Sequence, residues 1–252
     1  MKPWVLITGA TAGIGLSTAQ KLAAQNYNLI LTGRREERLS KIQNELKKEF
    51  KTEVETLCFD VSKRDQCQSI FQENQKLLSQ MQVLINNAGL ARGVDPMDQA
   101  ALEDWEEMID TNVKGLLYMT RLSLPYLQKN TPAHIVNIGS VAGRWSYPGG
   151  GVYCSTKFAV RALTEGLRAD LNGQNIRVTN ISPGLVETEF SQVRLRDTEK
   201  AAHVYKGLQV LTGADIAECI SWSLSRPPHV NIQEMVVYPT AQASVTQVRR
   251  EL

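Results

Sequence analysis

Trp4-Val5-Leu6-Ile7 is an uninterrupted apolar run, and Thr8-Gly9-Ala10-Thr11-Ala12-Gly13-Ile14-Gly15 follows it directly. Leu16, Ala19, Leu22 and Ala23 then recur at helical spacing. A run apolar at every position suits a strand buried on both faces. The segment therefore reads as strand, glycine-rich turn and helix, and it demands a sheet covered on both sides. Glycines in such a turn let the backbone bend tightly and let an anion approach closely. The helix start offers it free N–H groups and a positive dipole end. The spacing is G-x-x-x-G-x-G rather than G-x-G-x-x-G. In this setting Gly9, Thr11, Ala12, Gly13, Ile14 and Gly15 are candidate contacts for a dinucleotide pyrophosphate; a plain strand-to-helix turn is the alternative.

The rest of the chain repeats that alternation. Strand-like runs fall at 4–8, 28–32, 53–59, 82–86, 133–139, 175–182 and 232–238. Helical patterns fill 13–25, 36–49, 63–79, 98–129 (one helix or two), 151–172 and 213–225. Such alternation is the signature of an α/β fold with a parallel sheet. No linker divides the 252 residues, so 1–252 is expected to be one domain. The polar, charged stretch 187–212 follows a strand end, where ligands sit in doubly wound sheets, and is expected to be a mobile flap.

The second strand ends in Gly33-Arg34-Arg35. An acidic residue in this neighbourhood would hold a free ribose 2′-hydroxyl. Two arginines stand there instead, and guanidinium groups pair well with phosphate. NADP(H) is therefore expected over NAD(H), with at least one of Arg34 and Arg35 on the 2′-phosphate. The alternative is that both are solvated and paired with Glu36 and Glu37.

A net charge of +2 gives no electrostatic case for nucleic acid. Cys58, Cys67, Cys154 and Cys219 show no C-x-x-C spacing and read as reduced and intracellular. Cys154 is expected to pack rather than react. With only three histidines no metal site is expected. No signal-like leader is expected, and no apolar stretch of the sequence reaches membrane-spanning length. The expected location is the cytoplasm.

Tyr153 and Lys157 lie one helical turn apart, with Ser140 upstream. A phenol is a poor acid or base near neutral pH, and a nearby ammonium favours its ionised form. The pair beside a hydroxyl donor is a plausible device for moving a proton to or from a carbonyl oxygen.

The glycine turn, Asp60-Val61, Asn86-Asn87-Ala88-Gly89, Asn112, Ser140, Tyr153 with Lys157, and Pro183-Gly184 followed by Thr188 occur in one order along the chain. In this the chain resembles the short-chain dehydrogenase/reductase family nearly end to end. The resemblance implies a Rossmann doubly wound sheet of seven parallel strands, order 3-2-1-4-5-6-7, with helices on both faces. It implies that Asp60 accepts from the adenine amino group beside the Val61 backbone; a turn cap before Ser62 is the plainer reading. It places Asn87, Ala88 and Gly89 at the cofactor ribose and Asn86 as a brace within the sheet. Pro183, Gly184, the Val186 backbone and Thr188 would lie at the nicotinamide. Asn112 would bend its helix and hold a water in a relay to Lys157. Ser140 would orient the carbonyl, Tyr153 would be the general acid or base, and Lys157 would lower the Tyr153 pKa and hold the ribose hydroxyls.

Glu103-Asp104-Trp105-Glu106, Gly139 to Arg144, Pro183 to Ser191 and Pro239 to Ser244 are similar to the NADP-dependent 3-hydroxy acid dehydrogenase branch. That implies a small hydroxy acid or semialdehyde substrate of the serine, allo-threonine or 3-hydroxypropionate type. A sulfoacetaldehyde-type or broad carbonyl reductase stays open, as does a non-catalytic NADP(H)-sensing protein. A small acid needs a cation, for which Arg144, Arg194 and Arg196 are candidates; a neutral site filled by Trp145 and Tyr147 would instead suit larger apolar ketones. The resemblance also implies a homotetramer paired through the helices of 98–129 and 151–172, with the tail Thr246 to Leu252 free to reach a neighbour.

Overall fold

The computed structural model describes residues 2–250; Glu251 and Leu252, at the end of the tail, lie outside the described residues. In chain order the elements begin β1 (Trp4–Ile7), α1 (Gly13–Ala24), β2 (Asn28–Gly33), α2 (Glu36–Glu49) and β3 (Val54–Cys58). They continue α3 (Arg64–Glu73), α4 (Gln75–Leu78), β4 (Met81–Asn86), α5 (Leu102–Ile109), α6 (Leu116–Lys129) and β5 (Ala133–Ile138). The remainder is α7 (Gly151–Asp170), β6 (Ile176–Pro183), β7 (Val186–Glu187), α8 (Phe190–Leu195), α9 (Thr198–Tyr205), β8 (Leu211–Thr212), α10 (Gly213–Leu224) and β9 (Glu234–Val237).

Seven strands form one parallel sheet in the order β3-β2-β1-β4-β5-β6-β9. This is the expected order, its seventh strand being the ninth in the chain because β7 and β8 form a separate two-stranded pair. Successive side chains alternate between faces. Val5, Ile7, Leu29, Leu31 and Ile85 meet Ala19 and Leu22 of α1 and Ile216 and Ile220 of α10. Trp4, Leu6, Ile30 and Leu84 meet Phe71 of α3 and Met119 and Leu127 of α6 on the other face. Both faces are dry, which is why the strands read as continuous apolar runs rather than alternating ones. Among the described residues no helix is long and apolar enough to cross a membrane.

Three helical boundaries differ from expectation. The run 63–79 breaks at Asn74, whose side chain donates to Ile70 O at 2.9 Å and so bonds its own preceding turn. The pattern 98–129 becomes α5 and α6 joined by a wide π turn at Asp110–Gly115, which contains Asn112. Residues 98–101 stay outside the helix. The stretch 187–212 is not a bare loop: it carries α8 and α9, and the β7–β8 pair closes its base. The tail also folds onto its own chain. Arg249 N donates to Ala241 O at 2.8 Å, and Arg250 Nη2 donates to Val204 O at 3.1 Å at the end of α9.

Candidate active site

The sheet order reverses between β1 and β4, and the loops there diverge to leave a crevice beyond the carboxyl ends of the strands. A cavity of about 540 Å³ lies in it, walled by the turns after β1, β2, β3, β4, β5 and β6 and by the flap. Every cofactor or catalytic residue expected from sequence lines it except Gly15 and Asn112.

At the dinucleotide end, Gly9 has φ +65°, and a side chain there would come within 2.9 Å of Ala88 Cα. Gly15 serves packing instead. A Cβ at that position would overlap the Gly9 carbonyl oxygen and Asn87 Nδ2, so its bareness lets α1 lie against the turn. Helix α1 has Ala12 at its N-cap and no side-chain cap, so the first-turn N–H groups lack a capping side chain, and Ala12, Gly13 and Ile14 line the cavity. Asn87 Nδ2 donates to Thr8 O at 2.8 Å, joining the β4 turn to the glycine turn. Asn86 donates to Thr120 Oγ1 at 3.0 Å and Asn137 Oδ1 at 2.9 Å, as a brace between β4, α6 and β5. Asp60 lines the cavity and accepts from Ser62 N at 2.9 Å, the bond of a turn cap.

Arg34 and Arg35 both reach the cavity, and neither pairs with Glu36 or Glu37. Arg34 stands loosely 3.7 Å from Asp60. Arg35 donates to Thr11 Oγ1 through Nε (3.1 Å) and Nη2 (2.7 Å) and to Glu189 through Nη1 (2.8 Å).

At the other end, Tyr153 and Lys157 stand one turn apart on α7, both buried. Lys157 Nζ donates to Ile138 O at 2.9 Å and lies 5.9 Å from the Tyr153 ring centre. Burial lowers the Lys157 pKa to about 8. The Tyr153 pKa is pushed up, first by burial and next by Tyr147; a hydrogen bond with Ser140 and the Arg194 charge act the other way. Desolvation outweighs the two groups that favour ionisation, Ser140 and Arg194. Ser140 is fixed by Ala142 N, which donates to its Oγ at 3.1 Å.

Asn112 lies behind the cavity wall. Its Oδ1 accepts from Leu90 N at 2.8 Å, and its Nδ2 donates to Leu90 O (2.8 Å) and Thr156 Oγ1 (3.0 Å). It ties the β4 turn to the turn of α7 between Tyr153 and Lys157. On the flap, Thr188 Oγ1 accepts from Phe190 N at 3.2 Å, and Val186 O accepts from Tyr205 Oη at 3.0 Å.

The three candidate arginines separate clearly. Arg144 forms an ion pair with Glu234 and does not line the cavity. Arg196 pairs with Asp104 at 2.6 Å, also outside it. Arg194 lines the cavity, with its guanidinium 5.7 Å from the Tyr153 ring centre and 5.5 Å from that of Tyr147. It donates to Tyr147 Oη and Gly93 O, both at 2.9 Å. Trp145 is 63% exposed and away from the cavity, so the apolar pairing of Trp145 with Tyr147 does not form. Sequence reasoning missed Phe190, whose ring lies 5.7 Å from that of Tyr153, and missed Arg38 and Glu189 at the opposite end. For Arg38 a signal was available in its spacing from Arg35, one helical turn; nothing local marks Glu189.

Comparison with known proteins agrees with this geometry. An NADP-dependent 3-hydroxy acid dehydrogenase of Salmonella typhi is 45% identical, covering 95% of this chain and 96% of that protein. Sulfoacetaldehyde reductase 2 of Chromohalobacter salexigens is 43% identical, covering 96% of each. The closed form of a serine dehydrogenase complexed with NADP+ superposes with a TM-score of 0.90 at 43% identity, covering 98% of this chain and 100% of that one. The family model described as short chain dehydrogenase matches residues 3–199. With the sheet order, the glycine turn and the Ser140–Tyr153–Lys157 cluster in place, the chain belongs to the short-chain dehydrogenase family.

Proposed function

We propose that the protein transfers a hydride between NADP(H) and a small 3-hydroxy acid or its semialdehyde. The carrying observation is Arg194, a cavity cation bonded to Tyr147 Oη and 5.7 Å from the ring centre of Tyr153. A carboxylate held there would set its hydroxyl-bearing carbon toward Ser140 and Tyr153. The relatives named for 3-hydroxy acids and serine support this reading. A sulfonate would suit the same cation, and the sulfoacetaldehyde reductase relative keeps that substrate in the test.

The donor set suits a dinucleotide bearing an extra phosphate: an uncapped helix start, Gly9 at positive φ, and Arg34 and Arg35 where a carboxylate would select the unphosphorylated form. Gly9, Thr11, Ala12, Gly13 and Ile14 would hold the pyrophosphate side, with Gly15 as the packing residue behind them. Asp60 and Val61 would border the adenine, and Asn87, Ala88 and Gly89 the ribose. Pro183, Gly184, Val186 and Thr188 would form the wall at the nicotinamide. When bound, that cofactor supplies or accepts the hydride. Ser140 donates to the carbonyl oxygen. Tyr153, kept protonated by burial, gives its proton to that oxygen in reduction and regains it in oxidation. Lys157 holds ribose hydroxyls and offsets negative charge on the Tyr153 oxygen. Asn112 positions Leu90 and Thr156.

We also read 1–252 as one domain with a flap at about 187–212, acting in the cytoplasm as a homotetramer. The four free cysteines support a reducing compartment.

The test is an initial-rate panel with NADP+ on L-serine, L-allo-threonine, 3-hydroxypropionate, isethionate and neutral secondary alcohols. The acids are expected to lead. Arg194→Gln should raise KM for them about tenfold or more, as for a lost charged hydrogen bond, and leave neutral alcohols within about threefold. Tyr153→Phe should cut turnover of every substrate at least about tenfold. Activity on neutral alcohols alone would reject the acid assignment.

A further inference from the structure

Glu189 follows Thr188 at the start of α8, and its side chain crosses from the flap to the far end of the cavity. Its Oε2 accepts from Arg35 Nη1 at 2.8 Å and its Oε1 from Arg38 Nη1 at 2.6 Å. Arg35 turns its other edge to Thr11 in the glycine turn. One flap carboxylate therefore bridges two guanidinium groups, one of which carries the expected 2′-phosphate contact.

We propose that Glu189 is a tethered competitor for the cofactor's 2′-phosphate, and that Arg35 and Arg38 exchange the flap carboxylate for the phosphate on binding. The inference rests on the NADP reading above. A carboxylate brings one charge and two oxygens; a phosphate monoester brings nearly two charges and three oxygens, and takes two guanidinium groups better. The three side chains are each 39–49% exposed, so their pairs are weak enough to exchange without unfolding anything. A cofactor lacking the phosphate offers nothing to displace Glu189. The residue thus tempers the preference that the arginines give for the phosphorylated cofactor and links binding of that phosphate to the base of the flap.

Titration calorimetry of the wild type and Glu189→Gln with 2′,5′-ADP and 5′-AMP tests this. Gln keeps the shape and one acceptor oxygen but gives up the charge. The variant is expected to bind 2′,5′-ADP about three- to tenfold more tightly, as for the loss of two exposed ion pairs, with 5′-AMP unchanged. If the wild type prefers 2′,5′-ADP yet the variant binds it equally or more weakly, the competitor role fails and the NADP reading stands. Equal tightening toward both ligands also overturns the role, since the effect would not be specific to the phosphate. A wild type with no preference for 2′,5′-ADP overturns both.

Discussion

Lys157 is a buried ammonium whose described acceptor is a single carbonyl, Ile138 O. Burial draws its pKa from 10.5 to about 8. A pKa lower in the folded state means that the unfolded chain binds more protons between about 8 and 10.5. Stability of the ligand-free protein should therefore rise with pH across that window, and the full penalty is present below it. Lys157→Met should raise stability at pH 7 by about 2 kcal/mol, after allowing for the lost bond to Ile138. The gap should close as pH approaches the ordinary lysine value, while turnover is lost. Urea melts at pH 7 and pH 10 read this; a variant no more stable at pH 7 would mean that the charge carries no such penalty. The Tyr–Lys pair itself was legible from sequence because the helix period places both on one face. The balance of effects on Tyr153 was not, since it depends on burial and on Arg194, forty-one positions away.

Among the elements, α1 shows how tightly the glycine turn is tied to the sheet. Gly15 lies against the Gly9 carbonyl and Asn87, and Asn87 bonds back to that same turn. Gly15→Ala should cost about 2 kcal/mol or more by overpacking and should loosen the turn that faces the cavity. A thermal midpoint within a degree of wild type would show that α1 can shift freely. The sheet strands were readable to within a residue or two because burial on both faces leaves continuous apolar runs. The break at Asn74 and the π turn around Asn112 were not, because each is decided by side-chain bonds to backbone groups that propensity does not report. The same reason hid the choice among Arg144, Arg194 and Arg196. Two of the three are taken by acidic partners about 90 positions distant, Glu234 and Asp104.

For the molecule as a whole, α5, α6 and α7 each leave a large apolar side chain at the surface: Ile109, Leu117 and Phe158 are 40%, 42% and 43% exposed. Exposed side chains of this kind on neighbouring helices favour self-association. Light scattering should find four copies, and Phe158→Glu should shift the population toward smaller species. A monomeric wild type at micromolar concentration would rule out the proposed tetramer.

The β7–β8 pair has a consequence for how such an enzyme diversifies. Val186 and Glu187 lie beside Leu211 and Thr212, so the intervening excursion leaves and re-enters the body at one point. Changing the length of a closed excursion costs little chain entropy once its ends are pinned. Beyond Thr188 and Glu189, which line the cofactor end of the cavity, that stretch can then be lengthened, shortened or swapped as a cassette while the sheet and the Ser140–Tyr153–Lys157 cluster stay in place. Grafting it from a relative of different substrate preference is the shortest route to a redirected enzyme.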